Sequence, residues 1–415
     1  MSFATMWESL LPIGRDQSTG GYRRFSWTPE DQQCREWFMA SAAERGLRSH
    51  SDRNGNLWAW WDRPEPAPGP GAGASASAGA IVTGSHLDSV PDGGAYDGPL
   101  GVVSAFAAID VLRERGVVPA RPIAVAAFSE EEGARFGVAC LGSRLLTGAI
   151  TAEAARGLRD GDGITLAEAM EAAGHDPGGI GPDQDLLRRI GAYLELHIEQ
   201  GRALAGLDSA IGIAEGIWPH GRWRIDFTGQ ADHAGTATLA GRHDPMLPYA
   251  AAVLAARQAA AASGTLATFG KVTAVPGAAN AVCASVTAWL DARAPDEAGL
   301  RGTVEQVLAA AEQAAGPHGV TVGFRPESIT PLVTFDRGLR DTVAASLRAR
   351  GISAPVLATG AGHDAGVLSA RRPAAMLFVR NPTGVSHAPA EHAGMADCAA
   401  GVEALAAVLQ DLAGR

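Results

Sequence analysis

The chain has 415 residues, 46% of them hydrophobic, which is enough to bury at least one large core. A net charge of −11 at pH 7 argues against a surface that follows nucleic-acid phosphates. No apolar stretch approaches the roughly 18 residues that suggest a membrane helix, and the N-terminus lacks a signal-peptide pattern, so we expect a cytoplasmic protein. The four cysteines are widely spaced, which favours reduced thiols over a disulfide or zinc scaffold.

The first part of the chain alternates predicted helices and strands. A Ser-Trp-Thr-Pro start signal predicts a helix over 28–45, and residues 55–61 are typical of a strand. The next segment, 63–80, is rich in proline and small residues that cannot pack a core. We predict an extended hairpin tip or a mobile surface loop there.

Two short apolar strands are then predicted to end in polar motifs. The first, 80–83, leads into GSHLDSV and is followed by a predicted helix over 101–115. The second, 122–128, leads directly into SEEEG. This order indicates a parallel α/β layer, in which ligands bind beyond the carboxyl ends of the strands.

The pattern changes near residue 210. Alternating strands bracket a predicted helix over 245–262, which indicates a compact sheet-plus-helix module. After residue 330 the α/β pattern returns, with a helix over 336–350, a strand over 374–379 and a C-terminal helix after 396. We therefore predict a discontinuous α/β domain, 1–209 and 328–415, with a mixed sheet flanked by helices and a smaller α+β domain, 210–327, inserted into it.

Five segments place metal-competent side chains beside glycines or strand ends. They contain His86, Asp97, the acidic run 130–132, His197 and His387. Imidazole and carboxylate groups together suit zinc, manganese or cobalt. Three adjacent carboxylates at a buried edge repel one another unless a cation neutralises them, so the run favours a pair of divalent ions.

A family resemblance rests on the segments HLDSVPDGGAYDGPLGV, SEEEGARFG, LELHIEQG, GQADHAGT and GVSHAPAEH. In order and spacing they closely resemble the M20 metallopeptidase-like amidohydrolases, in the branch with N-carbamoyl-L-amino acid hydrolase, allantoate amidohydrolase and β-ureidopropionase. The resemblance implies two divalent ions per subunit, zinc, manganese, cobalt or nickel. It also implies a homodimer in which the inserted domain serves as the dimerisation domain and lid.

The resemblance implies a role for each metal-competent residue. Asp97 would bridge both ions, with His86 and His197 on one of them. Glu132 and His387 would bind the other.

The same resemblance makes Glu131 the general base, because the base precedes the ligand in the family's Glu-Glu-Gly order; Glu130 is the alternative. His233 would donate to the oxyanion when the domains close, in its own site or in that of the partner subunit. The alternative for His233 is a turn cap before Gly235.

Substrate residues follow from the same motifs. Arg293 and Asn280 match the positions that hold a substrate carboxylate, for which a bidentate guanidinium is well suited. Gln200 would bind the ureido group. A surface salt bridge, a turn residue and a helix cap are the alternatives for these three side chains.

Two further segments complete the predicted site. Gly362 would offer backbone donors, with His363 and Asp364 as supports. His220 would touch the substrate or would be an exposed loop histidine.

The predicted reaction is hydrolysis of the carbamoyl C–N bond of a small carboxylated ureido compound, an N-carbamoyl-L-amino acid or allantoate, with release of ammonia and carbon dioxide. A dipeptidase or N-acyl-L-amino acid deacylase of the same family is the alternative. A catalytically inactive binding scaffold is a third, more remote reading.

Overall fold

A computed structural model describes residues 2–62 and 79–414. Of the predicted loop 63–80, residues 63–78 lie outside the described residues, and Ala80 begins a strand. The chain divides into two compact units, Met1–Gly216 with Thr334–Arg415, and Ile217–Val333. The smaller unit starts later than residue 210 because the strand Ile211–Ile217 pairs with the large sheet. It ends later than residue 327 because the strand Thr321–Thr330 belongs to the small sheet.

The strands are β1 (Arg48–Ser51), β2 (Leu57–Trp61), β3 (Ala80–His86), β4 (Ile123–Phe128), β5 (Ile190–Ile198), β6 (Ile211–Ile217), β7 (His220–Thr228), β8 (Asp232–His233), β9 (Leu266–Val275), β10 (Ala281–Val282), β11 (Ser285–Arg293), β12 (Thr321–Thr330), β13 (Val333–Thr334), β14 (Val356–Thr359) and β15 (Ala374–Val379).

The α-helices are α1 (Phe3–Leu10), α2 (Pro29–Glu44), α3 (Pro99–Glu114), α4 (Leu141–Thr147), α5 (Ala152–Arg156), α6 (Leu166–Ala172), α7 (Gln184–Arg189), α8 (Ala203–Gly206), α9 (Met246–Ser263), α10 (Glu297–Ala315), α11 (Arg337–Ala349), α12 (Asp364–Ser369) and α13 (Met395–Ala413). Short 3-10 turns lie at Pro177–Gly179, Leu239–Gly241 and Gly316–His318.

The large unit is built on a mixed sheet with the order β1-β2-β4-β3-β5-β15-β6-β13, and β14 pairs with β6. Its centre, β4-β3-β5-β15, is parallel, whereas β2 and β6 join it in antiparallel fashion. Strands β3, β4 and β15 are buried along their whole length, as expected of parallel strands covered on both faces. The predicted mixed sheet flanked by helices is therefore confirmed, and its parallel strands end at one common edge.

Local sequence signals explain several element boundaries. The Thr28 hydroxyl caps α2 by accepting from the Asp31 N–H at 3.4 Å, and Pro29 follows at the first helical turn, where its missing N–H costs no hydrogen bond. The helix begins and ends within one residue of its predicted range. Strand β15 has the predicted bounds, because six consecutive apolar residues form one fully buried run.

The core of the large unit lies between the sheet and its helices. Helix α3 packs on β3 and β5 and against α13, which in turn contacts β15 and α11. The first turn of α3 lies beside the carboxyl ends of β3 and β5, since a Cβ at Gly101 would lie 2.8 Å from the Ser85 Cβ and 2.3 Å from the Leu196 carbonyl oxygen.

The smaller unit is an antiparallel sheet with the order β12-β7-β11-β9, covered by α9 and α10. Buried side chains alternate with more exposed ones along its central strands. Ile225 and Phe227 of β7 lie opposite Ala288 and Val286 of β11 in this core. A separate two-stranded ladder joins β8 to β10. This unit is the α+β module that the sequence pattern predicts.

Candidate metal centre

The metal-competent side chains meet at the carboxyl edge of the central parallel strands. His86 is the last residue of β3, and His197 is the last but one of β5. The acidic run follows β4, and His387 lies in the segment after β15. Because these four strands run in the same direction, residues that are about 300 positions apart reach one edge.

Asp97 is at the centre of the cluster. Its Oδ1 lies 3.1 Å from His197 Nε2 and 3.7 Å from His86 Nε2. Its Oδ2 lies 3.4 Å from His387 Nε2, and Glu132 Oε2 lies 3.5 Å from that same nitrogen. The two oxygens of one carboxylate thus face two different sets of ligand-type atoms, His86 with His197 on one side and Glu132 with His387 on the other.

Backbone carbonyls orient two of the imidazoles. The Nδ1 atoms of His86 and His197 lie 3.1 and 2.8 Å from the carbonyl oxygens of Asp88 and Ile198. A ring that donates from Nδ1 keeps the lone pair of Nε2 for a metal, which is the usual tautomer of a histidine ligand. Gly98 has φ +85°, and a Cβ there would lie 2.4 Å from the His86 ring, so the glycine makes room for the imidazole.

The three glutamates of the acidic run point in different directions. Glu131 points toward the cluster, with its Oε2 3.7 Å from His86 Nε2. Glu130 Oε1 instead accepts the backbone N–H groups of Arg135 and Phe136, at 2.9 and 2.7 Å. The Glu130 carboxylate therefore stabilises the loop that follows the acidic run, by binding the backbone of residues five and six positions later.

Two buried carboxylates that the motif analysis did not select hold the backbone of the cluster. Asp88 accepts from the N–H groups of Glu131 and Glu132, both at 3.1 Å. Glu391 Oε1 accepts from the N–H groups of Tyr96 and Asp97, at 3.0 and 2.9 Å. Both acids stand within the quoted motifs, at HLDSV and HAPAEH, and their proximity to His86 and His387 is the signal that could have identified them.

Burial and neighbouring charges shift the pKa values of the acids in the cluster in different directions. Burial raises the pKa of Glu131 to about 7. Burial, followed by the charges of Asp97 and Glu131, raises the pKa of Glu132 well above its usual range. Burial also opposes ionisation of Asp97, but the imidazoles of His197 and His86 outweigh it and hold its pKa well below the usual value. Positive charge therefore stabilises the ionised form of this site.

The donor set fits divalent cations. His86 Nε2, His197 Nε2 and Glu132 Oε1 are buried, and none of them makes a hydrogen bond within residues 2–62 and 79–414. A buried polar atom without a partner costs about 1–3 kcal/mol, and metal coordination removes that cost. Imidazole nitrogen with carboxylate oxygen is the ligand mixture of zinc, manganese, cobalt and nickel sites.

A further set of ligand-type atoms, on Glu195, His197 and His363, lies beside the cluster. Both oxygens of Glu195 already accept hydrogen bonds, from the Ser85 hydroxyl at 2.7 Å and from the Ala365 N–H at 3.0 Å. The His363 ring packs edge-on against the His197 ring, with 4.5 Å between centroids. The Glu195 oxygens are therefore held by other groups, and the His363 ring supports the His197 ring by packing against it.

Three further residues of the large unit were predicted to bind substrate or to support the site. The Gln200 amide donates to Asp97 Oδ2 at 2.8 Å, and its Oε1 has no hydrogen-bond partner among the described residues. Gly362 is exposed and directly precedes His363, the N-cap residue of α12. Asp364 accepts from the Ser143 hydroxyl at 2.5 Å.

The predicted residues of the smaller unit form two pairs. His220 and Arg293 are register partners at one end of β7 and β11, where the Arg293 guanidinium donates to Asp291 at 2.9 Å. His233 pairs with Ala281 in the β8–β10 ladder, and the Ala234 N–H donates to the Asn280 carbonyl at 3.0 Å. That ladder follows directly from the opposite end of β7 and β11, at Thr228 and Ser285.

The large sheet with a histidine–carboxylate cluster at its carboxyl edge, together with an inserted α+β unit, defines a metallohydrolase of the M20 type. The chain matches Peptidase family M20/M25/M40 over residues 82–411 and belongs to that family. It is therefore a hydrolase. Within the described residues, no helix combines the length and apolar character that a bilayer crossing requires.

Known relatives cover nearly the whole chain. The chain is 35% identical to an N-carbamoyl-L-amino acid amidohydrolase of Geobacillus stearothermophilus, over 96% of each chain. It is 31% identical to an allantoate amidohydrolase of Escherichia coli strain K12, over 97% of this chain and 96% of the relative. A solved structure of an amidase of the hydantoinase/carbamoylase family from Burkholderia vietnamiensis matches with TM-score 0.88 and 28% identity, over 100% of this chain and 98% of that one.

Proposed function

We propose that this protein hydrolyses the carbamoyl C–N bond of a small carboxylated ureido compound, an N-carbamoyl-L-amino acid or allantoate, releasing ammonia and carbon dioxide. The observation that carries the proposal is the placement of Asp97 between two sets of ligand atoms, with the Glu131 carboxylate beside them. The substrate class is supported by the relatives, which are named for these two substrates.

The chain's own residues divide the chemistry between them. His86, His197, Asp97, Glu132 and His387 would hold two divalent cations. When bound, such cations acidify water and polarise a carbonyl group. Glu131 would take the proton of the attacking water and deliver it to the departing nitrogen, which requires a carboxylate close to the centre with one oxygen facing it.

The tautomer of His233 suits an oxyanion donor. The Gly235 N–H donates to His233 Nδ1 at 3.0 Å, so Nδ1 carries no proton. The neutral ring then carries its proton on Nε2 and can donate it in a hydrogen bond. The turn-cap alternative and the catalytic role are therefore compatible, because the turn fixes the tautomer that the reaction needs.

The two pairs of the smaller unit support a homodimeric site. Strand β11, with nine residues, separates Arg293 from the ladder that carries His233 and Asn280. Such a strand spans roughly 26 Å, much more than a small ureido acid. One copy of this unit therefore cannot place both pairs on one substrate molecule, whereas two copies related by a twofold axis can supply one pair each.

The surface of the smaller unit is suited to such a partner. Strand β9 is an edge of the small sheet and exposes Val272 and Val275, at 48% and 51%. The neighbouring helix α9 exposes Leu247 and Leu254, at 47% and 63%. An apolar patch beside an open strand edge favours association with a second chain.

Mixing two inactive variants tests the shared site. Glu131→Gln and His233→Ala would each be inactive alone as homodimers. If His233 serves the partner's site, each mixed dimer contains one intact site, so random reassembly restores activity in about a quarter of all sites. Co-expression with two affinity tags and an ammonia assay measures this. No restoration in purified mixed dimers would place His233 in its own subunit's site, and an active His233→Ala homodimer would place it outside catalysis.

A substrate panel tests the reaction itself. The metal-loaded protein is assayed with N-carbamoyl-L-methionine, allantoate, N-acetyl-L-methionine and dipeptides. Release of ammonia from a ureido acid, at a kcat/KM at least about 100-fold above that of any dipeptide, is expected, because buried polar groups built for a ureido group reject analogues that leave them unpaired. Preferential cleavage of dipeptides or acyl-amino acids would establish the alternative function.

A further inference from the structure

The Cys140 backbone lies opposite the acidic run. The N–H groups of Cys140, Leu141 and Gly142 donate to the carbonyl oxygens of Glu131, Glu130 and Ser129, at 2.6, 3.0 and 2.9 Å. Because successive donors bind acceptors in reverse chain order, the segments 140–142 and 129–131 run antiparallel to each other. It places the Cys140 side chain next to that of Glu131.

The Cys140 thiol contacts the Glu131 carboxylate directly. Its Sγ lies 3.1 Å from Glu131 Oε1, and the residue is 3% exposed. Burial, reinforced by the charge of Glu131, raises the pKa of the thiol well above its usual value, so the sulfur keeps its proton. An S–H group beside a carboxylate oxygen is a donor.

The two oxygens of Glu131 therefore have different surroundings. Oε1 accepts from Cys140, whereas Oε2 lies 3.7 Å from His86 Nε2. The terminal torsion of a glutamate is broad, so a carboxylate without such a contact samples many orientations. The hydrogen bond from the Cys140 thiol restricts the terminal torsion of Glu131 and selects the orientation in which Oε2 faces the metal centre.

We propose that Cys140 is a positioning residue for Glu131: by donating to Oε1, its thiol holds Oε2 toward the side where the proton of the attacking water is taken. This inference depends on the proposed role of Glu131 as general base. The thiol forms no covalent bond in the reaction and transfers no proton. Its effect is on the fraction of Glu131 carboxylates that are oriented for proton transfer.

Three substitutions at one position separate positioning from packing. Cys140 has φ +55°, which is costly for any residue with a Cβ. Cys140→Ala and Cys140→Ser keep this cost unchanged, and Cys140→Gly relieves it. Serine retains an O–H donor, whereas alanine and glycine have none. Cys398→Ala, at a fully buried thiol in the core of the large unit, is the matched control.

The expected result is a specific loss of turnover. Cys140→Ala and Cys140→Gly should lower kcat about tenfold with KM changed less than about twofold, since a hydrogen bond to a charged group is lost. Cys140→Ser should recover kcat to within about threefold of the unchanged protein. Cys398→Ala should leave kcat and KM unchanged, although its melting temperature falls.

Two outcomes overturn the inference. One is full kcat in the alanine or glycine variant; the other is a serine variant no better than both of them, which would indicate packing. If alanine prevents folding, the glycine and serine pair still decides. The Glu131→Gln variant separates the two proposals, because normal turnover in that variant would refute the proposed base itself, whatever the cysteine variants show.

Discussion

The side chains assigned to metal binding and those assigned to the substrate differ in how they are fixed. His86, Asp97 and His197 are at most 5% exposed. Backbone carbonyls orient the two rings, and the Asp97 carboxylate accepts from the Gln200 amide and the Ser386 hydroxyl. His233 and Asn280 are exposed, and their partners belong to a short two-stranded ladder. The proposed metal centre is thus built mainly into the core of one chain, although the His387 side chain is 50% exposed. The proposed substrate residues His233 and Asn280 lie on a surface.

This difference has an energetic reason. Buried acids are tolerated only where other groups or cations compensate their charges, so the centre needs a rigid arrangement within one folded core. Residues that recognise a substrate must stay accessible until it arrives, and they become buried only when it or a partner chain covers them. If this contrast is correct, substitutions in the proposed metal centre should lower kcat, whereas substitutions at the proposed substrate residues should mainly raise KM.

The largest effect is expected at the base. Glu131→Gln should lower kcat by about 1000-fold, because an amide cannot accept the water proton. Glu130→Gln is the matched control, since a glutamine oxygen can still accept from the Arg135 and Phe136 N–H groups. We expect it to keep kcat within about threefold. Equal losses in both variants, measured by ammonia release, would contradict the assignment within the acidic run.

Removal of divalent cations should affect the buried region most. A chelator should abolish turnover and lower the free energy of unfolding by about 3–4 kcal/mol for each cation removed, the linkage expected for a ligand at 100 to 1000 times its Kd. Calorimetry and metal analysis measure both effects, and zinc, manganese, cobalt and nickel are then added back separately. The same treatment of a His197→Ala variant is the control. A chelated protein with unchanged stability and activity would exclude a cation at this centre.

A smaller effect is expected at the carboxylate contact of the smaller unit. Arg293→Ala should lower kcat/KM by about 10- to 100-fold, mainly through KM, because a charge-assisted bidentate contact is lost. Arg224→Ala is a close control: each arginine bonds an aspartate two positions away, and the two side chains are 33% and 31% exposed. Similar KM values for the two variants would remove Arg293 from the substrate site.

The smallest effect is expected at His220. This half-buried residue is the register partner of Arg293, and its Nδ1 lies 2.9 Å from the Trp218 carbonyl oxygen. His220→Ala should raise KM by no more than about threefold, in keeping with one neutral hydrogen bond. A change in the ratio of kcat/KM values for allantoate and N-carbamoyl-L-methionine would show that His220 contributes to substrate choice. The alternative of an exposed loop histidine is wrong, because His220 is half-buried at the start of β7. No change in either value would leave it a structural residue of that strand.

The element boundaries were predictable where the signal is local. The Thr28-Pro29 cap and the six apolar residues of β15 each depend on a few neighbouring positions, and their ranges agree with the structure to within one residue. The limits of the inserted unit differ from 210–327, because β6 pairs with β15, a strand that is about 160 positions away. No local pattern records that pairing.

The sequence by itself determined which residue types are available and in what order, and the ordered motifs were sufficient to indicate the family. Only the tertiary structure decided where those side chains point: Glu130 into its own loop, Glu131 toward His86, and the Cys140 thiol onto Glu131. It also decided that Arg293 and His233 lie toward opposite ends of one sheet. The physical reason is that propensity and periodicity act over a few residues, whereas the orientation of a buried side chain is set by hydrogen bonds with segments that meet only on folding.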